Sequence, residues 1–153
     1  MQLLNYFLVS FLSWLGIISG IILLKIAPEE KKPLAKVFSS VSGAAFVMIF
    51  LFSIYFFYDR VEYIAGLLSA ALLLFFFRKL GSARRLMTTY FALGLIFFIS
   101  MQNMNLFIIN SSLIFVYGTG KASELYSPRK KEYGFVYCSL IFILVSNLMF
   151  LII

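Results

Sequence analysis

The sequence contains no histidine, a single cysteine, Cys138, and only 6 carboxylate side chains. Without histidine, the chain has neither the commonest proton carrier near neutral pH nor the commonest metal ligand. One cysteine can form neither a disulfide within the chain nor a cysteine-based zinc site. These absences exclude histidine-dependent catalytic triads and cysteine-rich metal centres, so we expect no catalytic residues, no metal site and no cofactor.

Charged residues are also scarce, at 12% of the 153 residues, whereas soluble domains carry roughly a quarter. Apolar residues make up 63%, with 19 Phe and 9 Tyr, and the mean hydropathy is +1.01. A chain of 17.5 kDa is too small to bury that much apolar surface inside one globule. The composition therefore predicts an all-α integral membrane protein that forms a single domain, with lipid covering much of its surface.

The positions of the charges and of Pro28 and Pro33 predict the helices, because a membrane span needs about 20 mainly apolar residues. We expect the first helix to be retained rather than removed as a signal peptide. No basic segment precedes it, and no small-residue cleavage site closes it. The predicted helices cover residues 3–24, 34–58, 63–77, 86–101, 106–120 and 133–153.

Residues 86–119 are too long for one ordinary span and short for two, and polar residues interrupt them at positions 102–105. A single helix would divide the Lys and Arg residues between the two sides of the membrane. Two helices place all of them except Arg60 on one side, as the positive-inside rule favours for short loops. We therefore predict six helices with both termini outside. A re-entrant or kinked element at 102–105 is the alternative.

Three segments of small and polar residues, at 16–20, 66–70 and 109–112, each precede a basic loop. Their recurrence is compatible with three hairpin pseudo-repeats, but ordinary packing is the favoured explanation, because packed membrane helices use small residues at such positions in any case.

The net charge of +7 is concentrated in the short loops. Loop cations of this kind are typical of membrane orientation and of contact with anionic lipid headgroups, rather than of nucleic-acid binding. The abundance of Phe, Ile and Lys is typical of an AT-rich prokaryotic genome, so we expect the plasma membrane of a prokaryote. The cations assigned to lipid contact or orientation are Lys25, Lys31, Lys32, Arg78, Lys79, Arg84, Arg85, Arg129, Lys130 and Lys131.

The first and third predicted helices each carry a face of small residues. Such faces let two membrane helices approach closely. Packing against this chain's own helices is the favoured interpretation of these residues, and contact with another membrane protein or with a second copy is the functional alternative. The residues are Ser13, Gly16, Ser19 and Gly20 in the first helix, with Gly66, Ser69 and Ala70 in the third.

Amide and hydroxyl side chains cluster in the second half of the chain. Buried amides in a membrane need hydrogen-bond partners, and such bonds contribute about 0.6 to 2 kcal/mol each. These side chains are expected to bond the fifth helix to the sixth or, alternatively, to hold a solute or ion. The cluster comprises Gln102, Asn103, Asn105, Asn110, Ser111, Ser112, Ser146 and Asn147.

Two functions fit this sequence. The favoured hypothesis is a small membrane scaffold or partner subunit that packs with another membrane protein or with itself. The alternative is an oligomeric transporter or channel for an uncharged or weakly held solute, without proton coupling, because no carboxylate lies within an apolar run. An enzyme using Glu29, Glu30, Glu124 or Arg129 on lipid headgroups is the least favoured, since such residues are typical of solvated loops.

Overall fold

The computed structural model describes residues 3–26, 29, 31–76, 82–125 and 133–152. Within these ranges the chain forms six α-helices and no β-strand. The prediction of an all-α chain with six helices is therefore confirmed, with ends that differ by a few residues. The helices are α1 (Leu3–Ile26), α2 (Lys31–Phe56), α3 (Val61–Phe76), α4 (Ser82–Ser100), α5 (Met104–Leu125) and α6 (Tyr133–Ile152).

The long stretch in the second half of the chain folds as two helices, α4 and α5, separated by a turn at residues 101–103. Asn103 caps α5, because its Oδ1 accepts hydrogen bonds from the backbone N of Asn105 at 3.1 Å and of Leu106 at 3.3 Å. Asparagine is favoured at this position because its side chain satisfies N–H groups that have no carbonyl partner in the first helical turn.

Both of these helices are longer than the sequence predicted. α4 includes Arg84 and Arg85, and α5 includes Lys121 and continues to Leu125. The prediction began the fourth helix after Arg85 and ended the fifth before Lys121. Arg and Lys are good helix formers, however, and do not limit a helix by themselves. At about 1.5 Å per residue, the 19 residues of α4 and the 22 of α5 span roughly 28 and 33 Å.

An aromatic cluster at one end of the bundle shows how the helices run. The ring of Tyr6, near the start of α1, lies 4.4 Å from that of Phe150 in α6, 5.8 Å from Phe107 in α5 and 5.3 Å from Phe97 in α4. The end of α6, the start of α5 and the end of α4 therefore meet at the start of α1. Consecutive helices run in opposite directions, so α1 and α5 are parallel.

Helices that are distant in the sequence make the most extensive contacts. α5 packs against α1 on one side and α2 on the other, and α4 packs along α6. α3 contacts mainly α4 and touches α2 only slightly. In the described part of the chain, α1 with α2 and α5 with α6 make at most marginal contact. Of the three expected hairpins, α1–α2 and α5–α6 are thus not packed units, whereas α3 and α4 do pack together.

The outside of the bundle exposes many large apolar side chains, among them Leu4 (67% exposed), Phe75 (69%) and Leu151 (64%). Two segments, Leu3–Ile26 and Lys36–Phe56, are long and apolar enough to cross a membrane, and α3 and α6 contain shorter apolar segments. Single exposed leucines are normal in soluble proteins, but large apolar side chains are exposed along all six helices of this bundle. These features support membrane association.

Candidate functional site

The small residues of α1 lie against α5 of the same chain. A Cβ atom at Gly16 would overlap the backbone carbonyl of Phe115, and one at Gly20 would overlap that of Thr119. A Cβ at Gly118 would lie 3.3 Å from the carbonyl carbon of Gly16. The two backbones are in contact because these positions lack side chains, which is the close approach that small residues allow between membrane helices.

Hydroxyl groups add hydrogen bonds to the same interface. Ser19 Oγ and Thr119 Oγ1 are 3.1 Å apart, and Ser123 Oγ donates to the carbonyl of Gly20 at 3.4 Å. Ser13 is buried and donates to a carbonyl of its own helix at 2.9 Å. Gly16, Ser19 and Gly20, three of the four small residues singled out in α1, are therefore engaged within this chain.

The small residues of α3 divide between its two sides. Ala70 is buried, and a Cβ at Gly66 would lie in ordinary contact, 3.5 Å from Cδ1 of Ile99. Ser69 is exposed and donates to the Gly66 carbonyl at 2.8 Å. Ala65, four residues before Ser69, is exposed as well. The structure thus leaves a small-residue pair on the outer side of α3.

Asn110, in the middle of the polar cluster, joins α5 to α2. Its Nδ2 donates to Ser53 Oγ at 3.1 Å, and Ser53 Oγ donates to the Ile49 carbonyl at 2.7 Å. Asn110 is fully buried, and its Oδ1 accepts no hydrogen bond from the described residues. The amide thus connects α5 to α2 and not to α6, the partner that the sequence suggested.

Ser146 and Asn147 join α6 to α1. The Tyr6 hydroxyl donates to the Ser146 backbone carbonyl at 3.0 Å, and Ser10 Oγ donates to Asn147 Oδ1 at 3.2 Å. All four residues are buried. These two bonds connect α6 to α1 near the aromatic cluster around Tyr6.

The rest of the polar cluster lies elsewhere. Gln102 and Asn105 are exposed beside the turn in which Asn103 caps α5. Ser111 and Ser112 donate to carbonyls of their own helix. The cluster is therefore divided among separate contacts, and these eight side chains do not line one path through a single copy of the bundle.

Several hydrogen-bonding residues were missed from the sequence. Ser53, Ser10 and Ser139 all bury their hydroxyls, and Ser139 Oγ accepts a bond from Trp14 Nε1 at 3.0 Å. A single serine within an apolar run gives no signal of this role, because most such serines simply bond to a carbonyl of their own helix.

A cleft of about 390 Å³ lies at the end of the bundle opposite the aromatic cluster around Tyr6. α2, α3, α4 and α5 all contribute to it. Arg85 of α4 and Lys121 of α5 bring positive charge, and Ser42 and Thr89 bring hydroxyl groups. Phe46 and Leu74 supply an apolar wall. Four helices therefore bring together cations that are 36 residues apart in the sequence.

The cleft is suited to an anion. Arg85 and Lys121 both line it, and both carry positive charge. Ser42 Oγ donates to the Ser39 carbonyl at 3.0 Å, and Thr89 Oγ1 donates to the Arg85 carbonyl at 2.8 Å. Because both hydroxyl protons are donated to carbonyls, these two oxygens can only accept further hydrogen bonds. The N–H donors for an anion are those of the Arg85 guanidinium and the Lys121 ammonium group.

An apolar groove of about 300 Å³ lies between α2 and α3. Phe46 and Leu74 line both the groove and the cleft, so the two are adjacent. The groove is further lined by Val47 and Phe50 of α2 and by Ala71 of α3. It exists because α3 leans on α4 and barely contacts α2.

The cations assigned to lipid contact from the sequence are only partly described. Lys25 lies in the last turn of α1, and Arg84 and Arg85 lie in the first turn of α4. Lys31 and Lys32 begin α2. Outside the described residues are Arg78, Lys79, Arg129, Lys130 and Lys131.

Within the described ranges, no group of three or more His, Cys, Asp or Glu side chains is placed to hold a metal ion. No family model, no curated protein and no solved structure matches the chain. The geometry of the cleft, the groove and the outer side of α3 therefore carries the functional argument.

Proposed function

We propose that this protein crosses the plasma membrane of a prokaryote six times, with both termini on the outer side. The exposed apolar surface and the alternating helix directions support this topology. Arg85 and Lys121 lie at the same end of the bundle, which agrees with one basic, cytoplasmic side.

Within the membrane, the protein acts as a partner subunit that packs with another membrane protein or with a second copy of itself. The observation that carries this proposal is the outer face of α3, formed by Ala65, Ser69 and Leu72. These residues are spaced four and three apart, so they lie above one another on one side of the helix. All three are exposed.

A helix that faces only lipid does not need small side chains for close packing, because lipid chains adapt to any surface. They matter where a second helix approaches, since van der Waals packing and close backbone approach stabilise helix association in membranes. In α1 the small residues already have such a partner in α5. On the α3 outer face they have none within the described chain, and a helix from another subunit would complete the contact.

Native mass spectrometry of the full chain in lipid nanodiscs tests this proposal. We expect the wild-type particle to contain a second protein or a second copy. Ser69→Trp places a large ring on the α3 outer face and should return the particle to a lone chain.

Leu148→Trp is the matched control, because Leu148 is 53% exposed on α6, away from α3. It should leave the assembly intact. A wild-type chain that is alone at every concentration, or equal loss of the partner in both variants, would contradict the partner-subunit proposal.

A further inference from the structure

We propose that the cleft and the α2–α3 groove together bind one anionic phospholipid. The phosphate lies between Arg85 and Lys121, and one acyl chain lies along the groove. This site is separate from the α3 outer face and goes beyond the partner-subunit function, since lipid would occupy it in a lone chain as well.

A single face of α2 links the two parts of the site. Its residues follow the alternating spacing of three and one that marks one side of a helix. The face is polar in its first half and apolar in its second half, and at about 1.5 Å per residue it is roughly 18 Å long. The residues are Ser39, Ser42, Gly43, Phe46, Val47, Phe50 and Leu51.

The cationic end has the chemistry of a phosphate site. Arg85 offers the planar fork of N–H donors that matches phosphate oxygens, and Lys121 offers a compact positive charge. Arg85 is exposed at the mouth, and Lys121 is half-buried beside it. The acceptor oxygens of Ser42 and Thr89 could also receive hydrogen bonds from a hydroxylated headgroup such as glycerol.

The apolar groove is suited to an acyl chain that is attached to the anion in the cleft. The groove is open because α3 contacts α2 only slightly, and Val47, Phe50 and Ala71 give it an apolar lining. A free phosphate ion would occupy the cleft and leave the groove empty. A partner helix could fill the groove but would need its own carboxylate at the cleft. A phospholipid supplies both the anionic group and the chain.

The test measures lipid binding to the full chain, purified in mild detergent, by titration in native mass spectrometry. The probes are phosphatidylglycerol and phosphatidylcholine with the same acyl chains. We expect phosphatidylglycerol to bind about tenfold more tightly, and Arg85→Gln and Lys121→Gln each to weaken it about tenfold, as loss of a charged hydrogen bond predicts. Arg84→Gln removes the same charge one residue away, outside the cleft, and should change binding less than about twofold.

Ala71→Phe tests the groove, because the added ring would occupy the space of the acyl chain. It should weaken phosphatidylglycerol binding about tenfold, as several buried methylene groups would lose their contacts. Ala44→Phe makes the same change at an exposed position of α2 that lines neither the cleft nor the groove, and should have no effect. Inorganic phosphate at equal concentration should not displace the lipid.

Equal binding of the two lipids would show that the site does not select an anionic headgroup, and would overturn the proposal. Equal effects of Arg84→Gln and Arg85→Gln would assign the preference to general attraction by surface charge, and would overturn it as well. Displacement by inorganic phosphate without an effect of Ala71→Phe would assign the cleft to a free anion. A co-purified protein released by Arg85→Gln in place of lipid would assign it to a partner helix. Thermal unfolding in detergent shows whether each variant folds. If Arg85→Gln does not fold, Lys121→Gln alone tests the contribution of the positive charge.

Discussion

α1 and α3 carry similar small residues in the sequence but use them in opposite ways. Gly16 and Gly20 of α1 lie in backbone contact with α5, in the middle of the bundle. On α3, Gly66 makes only ordinary contact with Ile99, and Ser69 is exposed. A face of small residues therefore indicates that a helix can be approached closely, but it does not identify which helix approaches.

The two helices also differ in how firmly the bundle holds them. α1 packs along α5 and contacts α6, and side-chain hydrogen bonds connect it to both. α3 packs mainly on α4 and leaves a groove toward α2. Substitutions in α1 should thus affect the free energy of unfolding, whereas substitutions on the outside of α3 should affect what the protein binds.

The largest expected difference in the free energy of unfolding is between variants of two tyrosines near the starts of these helices. Tyr6 is fully buried in the aromatic cluster, whereas Tyr63 of α3 is half-buried and packs its ring 4.7 Å from that of Phe57. Tyr6→Ala should lower the free energy of unfolding by about 3 to 5 kcal/mol, and Tyr63→Ala by less than half as much. Unfolding by titrated sodium dodecyl sulfate in mixed micelles measures both; equal losses would show that α3 is as firmly packed as α1.

A smaller difference is expected between two glycines. Gly16→Ala forces α1 and α5 apart and should cost at least about 2 kcal/mol of unfolding free energy, as overpacking does. Gly66→Ala adds a methyl group that meets only Ile99 at an ordinary distance. It should be neutral, or stabilising by up to about 1 kcal/mol, because alanine favours a helix more than glycine does. The same detergent titration measures the free energy of unfolding of both variants. If Gly66→Ala destabilises the protein as much as Gly16→Ala does, α1 and α3 do not differ in how closely they are packed.

The smallest expected effect concerns α2, whose contact with α5 includes the hydrogen bond between Asn110 and Ser53. Ser53→Ala removes the partner of Asn110 Nδ2 and should destabilise the protein by about 1 kcal/mol. Asn110→Leu removes an amide whose Oδ1 already has no partner in the described chain, and should change stability by less than about 0.5 kcal/mol. If Asn110→Leu is the more harmful of the two, the buried amide contributes more than its bond to Ser53.

Much of the helix pattern could be read from the sequence. The split of the long stretch at residues 102–105 followed from charge distribution, and the structure confirms it with the Asn103 cap. The ends of α4 and α5 could not be read in the same way, because Arg84, Arg85 and Lys121 continue the helices instead of ending them.

The candidate sites were less predictable. Asn110 stands out in the sequence as a buried amide, but its partner Ser53 is one serine among many and lies 57 positions earlier. The cleft combines Arg85 with Lys121, which no local pattern connects. Each site is assembled from helices that meet only in the folded bundle.

The sequence by itself determined that the described chain is all-α and that it forms six helices, because apolar runs, prolines and charges act locally along the chain. The tertiary structure alone decided which helices pair: α1 with α5, α4 with α6, and α3 at the edge. The physical reason is that large apolar side chains occur on both the buried and the exposed sides of these helices, so hydrophobicity alone does not distinguish the core side from the outer side. That distinction depends on where glycines allow backbones to touch and on which buried hydroxyls find partners, and both are properties of two helices together.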